Sequence, residues 1–352
     1  MATAPEPASD LSRDALEMVI GGRDLGRERA RALMTMVMEG RVPPARLGAL
    51  LAALRARGET VDEITGFAEA MRQGSLKVSC RREGLVDTCG TGGDASGTFN
   101  ISTATALAAA GMGIPVAKHG NRAVSSRSGS ADVLEALGVN VELGPARAGE
   151  VLDEVGLAFL YAPVLHPAMK HAGPVRRELG VRTVFNVLGP LTNPAGAELQ
   201  LLGVFDPALC EPLARVLGAL GSRRAFVVHG AGGLDEVSPL GPTRVAELRR
   251  GAVRMFTFDP AEAGVDRCDA AALAGGTPAE NAAIITGILA GEPGPAADAV
   301  ALNAGFVAVL AGRAPDFRTG VTLARQSLRS GAGLRLLSQL VRSTNSAQRE
   351  GK

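Results

Sequence analysis

The chain has 352 residues, 46% of them hydrophobic and 21% charged, with 37 Lys and Arg against 36 Asp and Glu. That length can bury a large core in two domains, and a formal net charge of +1 supplies no general field for nucleic acid. With no Trp, one Tyr, and four cysteines too scattered for a disulfide scaffold or a zinc site, base-stacking surfaces and extracellular or zinc-finger classes are excluded.

The first ten residues carry no basic segment followed by an apolar core, so no signal peptide is read there. No apolar run approaches the ~20 residues that span a bilayer. A cytoplasmic chain with no membrane or nucleic-acid partner is therefore expected, with residues 1–10 and 346–352 disordered. Residues 11–82 read as a helical domain. Leu33, Met34, Val37 and Met38 recur at helical spacing, as core or as a subunit interface. Pro43 and Pro44 precede a helix over residues 47–54, and Thr60-Val-Asp-Glu63 is a capping-box pattern opening the next.

From about residue 83 to 345 the pattern becomes strand–helix alternation. Strands are predicted at 84–87, 114–117, 139–142, 158–161, 201–205 and 224–229, with helices between them at 131–137, 148–155 and 210–220. Residues 243–248 and 252–258 predict an antiparallel hairpin, and 281–341 predict Ala- and Leu-rich helices. Alternation of this kind builds a mainly parallel sheet covered by helices. The fold class is therefore α/β, a small all-helical domain beside a larger α/β domain.

Between the first predicted strand and the helix beginning near Phe99 lies Gly90-Thr-Gly-Gly-Asp94. Glycines between a strand and a helix N-terminus bring main-chain N–H groups to an anion, which the helix dipole also favours. Asn100, Ser102 and Thr103 add side-chain donors at the helix start. The run also satisfies the dinucleotide pattern G-x-G-x-x-A, but the helix starts several residues late and no acidic ribose ligand ends the next strand. No Gly-Lys-Ser/Thr follows, so a Walker A loop fails too. After the second strand, residues 118–130 carry Lys118, Arg122, Arg127 and several serines, suited to the other side of a phosphate-rich ligand. Asp235-Glu236, in a glycine-bounded turn, is either a solvated acidic pair or a ligand set for Mg²⁺, which favours carboxylates together with phosphate oxygens and water. The histidines form no HExxH pair, and no serine–acid partnership marks a hydrolase.

The ordered run GTGGD, NxST and KHGNRxxSS, followed by His166-Pro-Ala-Met-Lys-His171, Val175-Arg-Arg-Glu-Leu-Gly180, Phe185-Asn-Val-Leu-Gly-Pro-Leu-Thr-Asn-Pro194 and Gly233-Leu-Asp-Glu-Val-Ser238, resembles the anthranilate phosphoribosyltransferases of tryptophan biosynthesis. The likeness extends from about Ala15 to about Thr344. It implies a nucleoside-phosphorylase-like fold whose helical domain recruits residues 164–188, an active site in the interdomain cleft, and a homodimer. It implies transfer of phosphoribosyl from phosphoribosyl diphosphate (PRPP) to anthranilate, with two Mg²⁺ per subunit. PRPP would contact Gly90, Gly93, Asp94, Thr98, Asn100, Ile101, Ser102, Thr103, Lys118, His119, Gly120, Asn121, Arg122, Ala123, Val124, Ser125, Ser126 and Ser130. Gly90, Asn121 and Arg176 would contact anthranilate; Ser102, Asp235 and Glu236 would hold metal. The family commonly has Lys where Arg127 stands, so a cation is kept. No general acid or base is expected. A pyrimidine nucleoside phosphorylase of similar fold and a catalytically silent PRPP sensor are the rival readings.

Overall fold

Proline and cap chemistry set the helices of the first unit, which comprises the chain up to Ser75 together with His166–Leu188. The computed structural model describes residues 10–93, 96–123 and 127–346. Helices Leu11–Ile20, Gly26–Met38, Pro44–Arg57 and Val61–Gln73 form the N-terminal part. Pro44 sits in the first turn of its helix, where a missing N–H costs nothing. Thr60 and Glu63 close the capping box, and the Glu63 carboxylate also takes the Leu25 N–H at 2.9 Å. Leu33, Met34, Val37 and Met38 are buried, and Gly66 lets Val61–Gln73 close onto Arg27 and Ala30 of the neighbouring helix. These observations favour the core reading of the Met-rich stripe. Residues 167–179 divide into a 3-10 turn, Pro167–Lys170, and a separate helix, Gly173–Leu179. Pro174 tolerates only a first-turn position, so the helix must restart there.

The second unit, Leu76–Leu165 with the chain from Gly189 onward, holds one sheet. Its strands are β1 Val86–Gly90, β2 Val116–Gly120, β3 Leu157–Tyr161, β4 Leu199–Gly203, β5 Arg224–Gly230, β6 Thr243–Arg249 and β7 Ala252–Phe258, in the order β3-β2-β1-β4-β5-β6-β7. The first five are parallel; β6 and β7 add the antiparallel hairpin. Arg250 and Gly251, at φ 52° and 78°, turn that hairpin in the left-handed conformation a two-residue link requires. Successive side chains alternate between faces. Phe226 therefore packs on Phe306 and Phe317, while Leu248 on the other face meets Gly218 of helix Cys210–Ala219. Helices cover both faces, as the alternation predicts.

Two expectations need correction. Residues 139–142 form no strand: Val139 and Val141 are buried, but Asn140 bonds its N–H and side chain to Thr344 of the last helix rather than to a sheet neighbour. The first two strands lie farther along the chain than predicted. β2 starts only after Pro115, whose carbonyl takes the Val86 N–H at 2.9 Å. Lys118 and His119 consequently stand on the strand and not in the loop beyond it. No helix among the described residues is long and apolar enough to cross a membrane.

Candidate active site

The sheet reverses its winding at β1, which lies between β2 and β4. Ligands of open α/β sheets bind outside the carboxyl ends of the strands at such a point. Four strands here end in glycine: Gly90, Gly120, Gly203 and Gly230. The turn carrying Asp235 and Glu236 folds back over three of these ends. A Cβ on Gly90 would strike the Asp235 carboxylate, and one on Gly203 would overlap the Asp235 carbonyl. The Gly92 N–H donates to Asp235 Oδ2 at 2.8 Å, joining the glycine turn after β1 to the acidic turn after β5. Gly92 and Gly93 have φ of +65° and +74°, a conformation that L side chains rarely adopt.

Helix Ile101–Gly111 begins beside this turn, and the side chain of its N-cap residue, Asn100, does not cap it, so its positive end favours an anion. Lys118 is buried there. Its Nζ donates to the Thr88 carbonyl at 2.5 Å and to Ser102 Oγ at 3.2 Å. Burial pushes the ammonium pKa below the ordinary lysine range, opposed by the negative charges of Asp87, Glu236 and Asp235. Asp87, wholly buried, accepts from the His119 N–H at 3.1 Å and from Asn193 Nδ2 at 2.8 Å. Burial raises its pKa to about 6, and the Asn193 amide and Lys118 charge restrain the rise. His119 Nδ1 meets the Gly189 carbonyl at 3.1 Å, so this ring nitrogen is engaged in structure.

The second polar loop is fastened at both ends by one carboxylate that sequence reasoning missed. Asp132 Oδ2 accepts from the N–H groups of Ala123 at 2.9 Å and Gly129 at 2.8 Å. Burial would raise its pKa, but these donors and Arg122 hold it low. Arg122 turns its guanidinium toward Asp132 at 3.2 Å, Glu135 at 2.5 Å and the Tyr161 hydroxyl at 3.0 Å. Asn121 is exposed, its Oδ1 taking the Arg122 N–H at 2.8 Å. Asn100 ties the two loops together. Its Nδ2 donates to the Ser128 carbonyl at 3.0 Å, while its Oδ1 accepts from Ser128 and from Asn281 at 2.9 Å. Thr98 bridges to Ala274, and the side chains of Ile101 and Thr103 are buried in helix packing. Gly120 lies against Phe159 and Ser130. Asp94, Val124, Ser125 and Ser126 lie outside the described residues.

Asp235 and Glu236 are half-buried and present oxygen donors only. No cluster of three or more His, Cys, Asp or Glu gathers as a metal cage among the described residues. Two carboxylates fit a hard divalent cation that draws its remaining ligands from phosphate and water, and the adjacent glycine turn would bring such a phosphate. The acidic turn is braced by Asn303, fully buried on helix Pro295–Leu310. Its Oδ1 takes the Val237 N–H and its Nδ2 donates to the Val237 carbonyl, both at 2.9 Å. A lone amide inside the apolar run 299–310 was the signal for it. In the first unit, Arg176 is half-buried, its guanidinium 5.0 Å from the Phe185 ring centroid, and burial lowers its pKa. Arg177 is exposed and lies back over Gly173.

A glycine turn at the switch point of a mixed sheet, with a separate helical unit in the same chain, corresponds to a two-domain glycosyl transferase. The glycosyl transferase family a/b domain matches residues 82–334, and the family's helical bundle domain matches residues 13–75. An anthranilate phosphoribosyltransferase of Pelotomaculum thermopropionicum is 54% identical over 95% of this chain and 97% of its own. The crystal structure of anthranilate phosphoribosyltransferase from Thermus thermophilus superposes with a TM-score of 0.90 at 50% identity, covering 94% of this chain and 99% of that one. The Saccharomyces cerevisiae enzyme in complex with PRPP and Mg superposes at 0.88 with 28% identity, over 97% and 99% of the two chains. The chain belongs to the anthranilate phosphoribosyltransferase family, pentosyltransferases of tryptophan biosynthesis.

Proposed function

We infer that the chain transfers the phosphoribosyl group of PRPP to the amine of anthranilate, releasing diphosphate, and that the residues gathered at the switch point carry the phosphate half of this chemistry. The observation that carries the reading is the junction of Gly92, Asp235, Ser102 and Lys118 at the ends of β1, β2 and β5. As diphosphate departs, the anomeric carbon gains positive character and the leaving oxygens gain negative charge. Fixed donors aimed at that charge act most strongly where water is excluded. The N-terminal end of helix Ile101–Gly111 and the Lys118 ammonium supply them, beside a glycine turn whose Thr91 and Gly92 N–H groups are held by the Gly203 carbonyl and by Asp235 Oδ2. Gly90, Gly93, Asp94, Thr98, Asn100, Ile101, Ser102, Thr103 and residues 118–126 with Ser130 enclose PRPP in this proposal. Arg176 takes the anthranilate carboxylate in a two-pronged hydrogen bond, Asn121 orients the amine, and Gly90 also contacts anthranilate in this proposal. The neutral aryl amine attacks by virtue of position, so no general base is assigned.

Mg²⁺ would be held by Ser102, Asp235 and Glu236 and would neutralise diphosphate charge as a Lewis acid. Two ions per subunit are part of the proposal, and the yeast relative's complex with PRPP and Mg supports its use. The yeast complex with 4-fluoroanthranilate supports an anthranilate site. A homodimer and a cytoplasmic setting belong to the same reading; four free cysteines accord with a reducing compartment.

Fluorescence loss from anthranilate in the presence of PRPP and Mg²⁺ tests the function. Thymidine phosphorolysis without anthranilate consumption would assign the chain to the phosphorylases instead. For the metal, replacing Asp235 and Glu236 together by Asn and Gln is expected to raise the Mg²⁺ concentration for half-maximal activity by roughly tenfold or more, since neutral amides keep the size but lose the anionic oxygen. A wild-type Mg²⁺ titration in this double variant would move the metal ligands elsewhere.

A further inference from the structure

β1 and β2 keep register at a single pair, Val86 with Val116, whereas β1–β4 and β2–β3 each stay paired along the whole strand. Beyond Val86, side chains meet main-chain groups along the β1–β2 seam. The His119 N–H goes to Asp87 Oδ1 at 3.1 Å, the Ala117 carbonyl takes Asn193 Nδ2 at 2.8 Å, and the Thr88 carbonyl takes Lys118 Nζ at 2.5 Å. The orientation of Asn193 is fixed, because its Oδ1 accepts the Ala195 N–H at 2.9 Å while its Nδ2 serves both Ala117 and Asp87. Position 87 must therefore present two acceptors, one to a main-chain N–H and one to an amide NH₂. A carboxylate does this and a carboxamide cannot.

The segment supplying Asn193 is itself anchored at this seam. His119 engages the Gly189 carbonyl, and Gln200 Nε2 donates to the Pro190 carbonyl at 2.6 Å. We propose that Asp87 and Asn193 are positioning residues for the transfer: together they part the β1–β2 seam so that Lys118 lies across it, with its ammonium at the start of the Ile101–Gly111 helix. Asp87 supplies the negative charge that keeps a cation tolerable in that buried place. Asn193 holds the carboxylate and spans the gap to β2. Neither residue touches substrate; both act through Lys118.

The inference rests on Lys118 facing the departing diphosphate, and a double-mutant cycle separates the two ideas. Asp87→Asn, in which an NH₂ must face either the His119 N–H or the Asn193 amide, is expected to lower kcat/KM for PRPP roughly tenfold to a hundredfold. KM for PRPP should rise and KM for anthranilate stay within about twofold, whereas a merely structural defect lowers the active fraction and moves neither KM. Asn193→Ala, which keeps both the Asp87 and the Lys118 charges but removes the amide donor to Asp87 Oδ2, should show the same pattern at a smaller size, and it carries the test should Asp87→Asn not fold. In a Lys118→Met background either change should add less than about a twofold loss, because the group they position is gone. Full additivity in that background, or unchanged PRPP kinetics in the single variants, overturns the positioning role. If Lys118→Met itself leaves kcat/KM for PRPP unchanged, the reading of Lys118 fails first and takes this inference with it.

Discussion

Gly92→Val is expected to weaken PRPP binding sharply while the protein stays folded. Gly92 has φ +65°, and an ideal Cβ there meets nothing within 4 Å, so the obstacle is the backbone conformation and not space. A β-branched residue held in that region costs about 1–3 kcal/mol, and the turn relieves the strain by leaving the left-handed well. Its N–H then loses Asp235 Oδ2, now 2.8 Å away, and the glycine turn parts from the acidic turn, which disturbs the proposed seats of phosphate and metal together. Hydrogen bonds to a charged group are each worth about 1.5–3 kcal/mol. Loss of two therefore means a drop in affinity on the order of a hundredfold or more by titration calorimetry. Gly113→Val is the matched control. Its φ is +78° with equally open surroundings, beyond the far end of the Ile101–Gly111 helix, so it should lower thermal stability without touching affinity. Equal PRPP affinity in Gly92→Val and wild type would reduce the turn to a structural corner.

The glycine turn after β1 was legible in sequence because glycine, helix start and strand end are local features with local causes. The hairpin at Arg250-Gly251 and the capping box at Thr60 were legible for the same reason. The side chains that brace the site were not. Asp87 is hydrogen-bonded to residues 119 and 193, Asn303 to 237, and Asp132 to 123 and 129. Most of those partners are chosen by tertiary packing, to which no spacing rule applies. What sequence did offer was incongruity: an acid at 87 in a strand buried from Val86 to Cys89, a lone amide at 303 in the apolar run 299–310. Buried polar groups that survive in such places are paired, so each marked a network without naming its members. The false strand at 139–142 has the converse origin. Its apolar alternation is real and Val139 and Val141 are buried, but the segment packs under the last helix with no strand to pair. Arg122 illustrates a further limit. Its type and place suit a phosphate, yet its guanidinium is committed to Asp132 and Glu135, which lie on the next helix.

Arg176 and Arg177 are adjacent, equally charged and on the same helix, yet only the first should matter for anthranilate. Consecutive helix residues point about 100° apart, so one ligand cannot be addressed squarely by both. Arg176 is half-buried over the Phe185 ring, makes no ion pair among the described residues, and has its pKa lowered by burial. A desolvated cation of this kind gains from a carboxylate partner what it has lost in hydration. Arg177 stands in solvent, where an added anion gains little. Removing one member of a buried charge pair typically costs roughly 2–5 kcal/mol, or about 30-fold and upward in affinity. Arg176→Ala is therefore expected to raise KM for anthranilate by at least that factor and to leave KM for PRPP nearly unchanged. Arg177→Ala should be close to silent in both. Aniline, which lacks the carboxylate, should be used about equally poorly by wild type and by the Arg176 variant, so the difference between the two enzymes should vanish with it. A normal anthranilate KM in Arg176→Ala, or a larger defect in Arg177→Ala, would transfer carboxylate recognition to another residue.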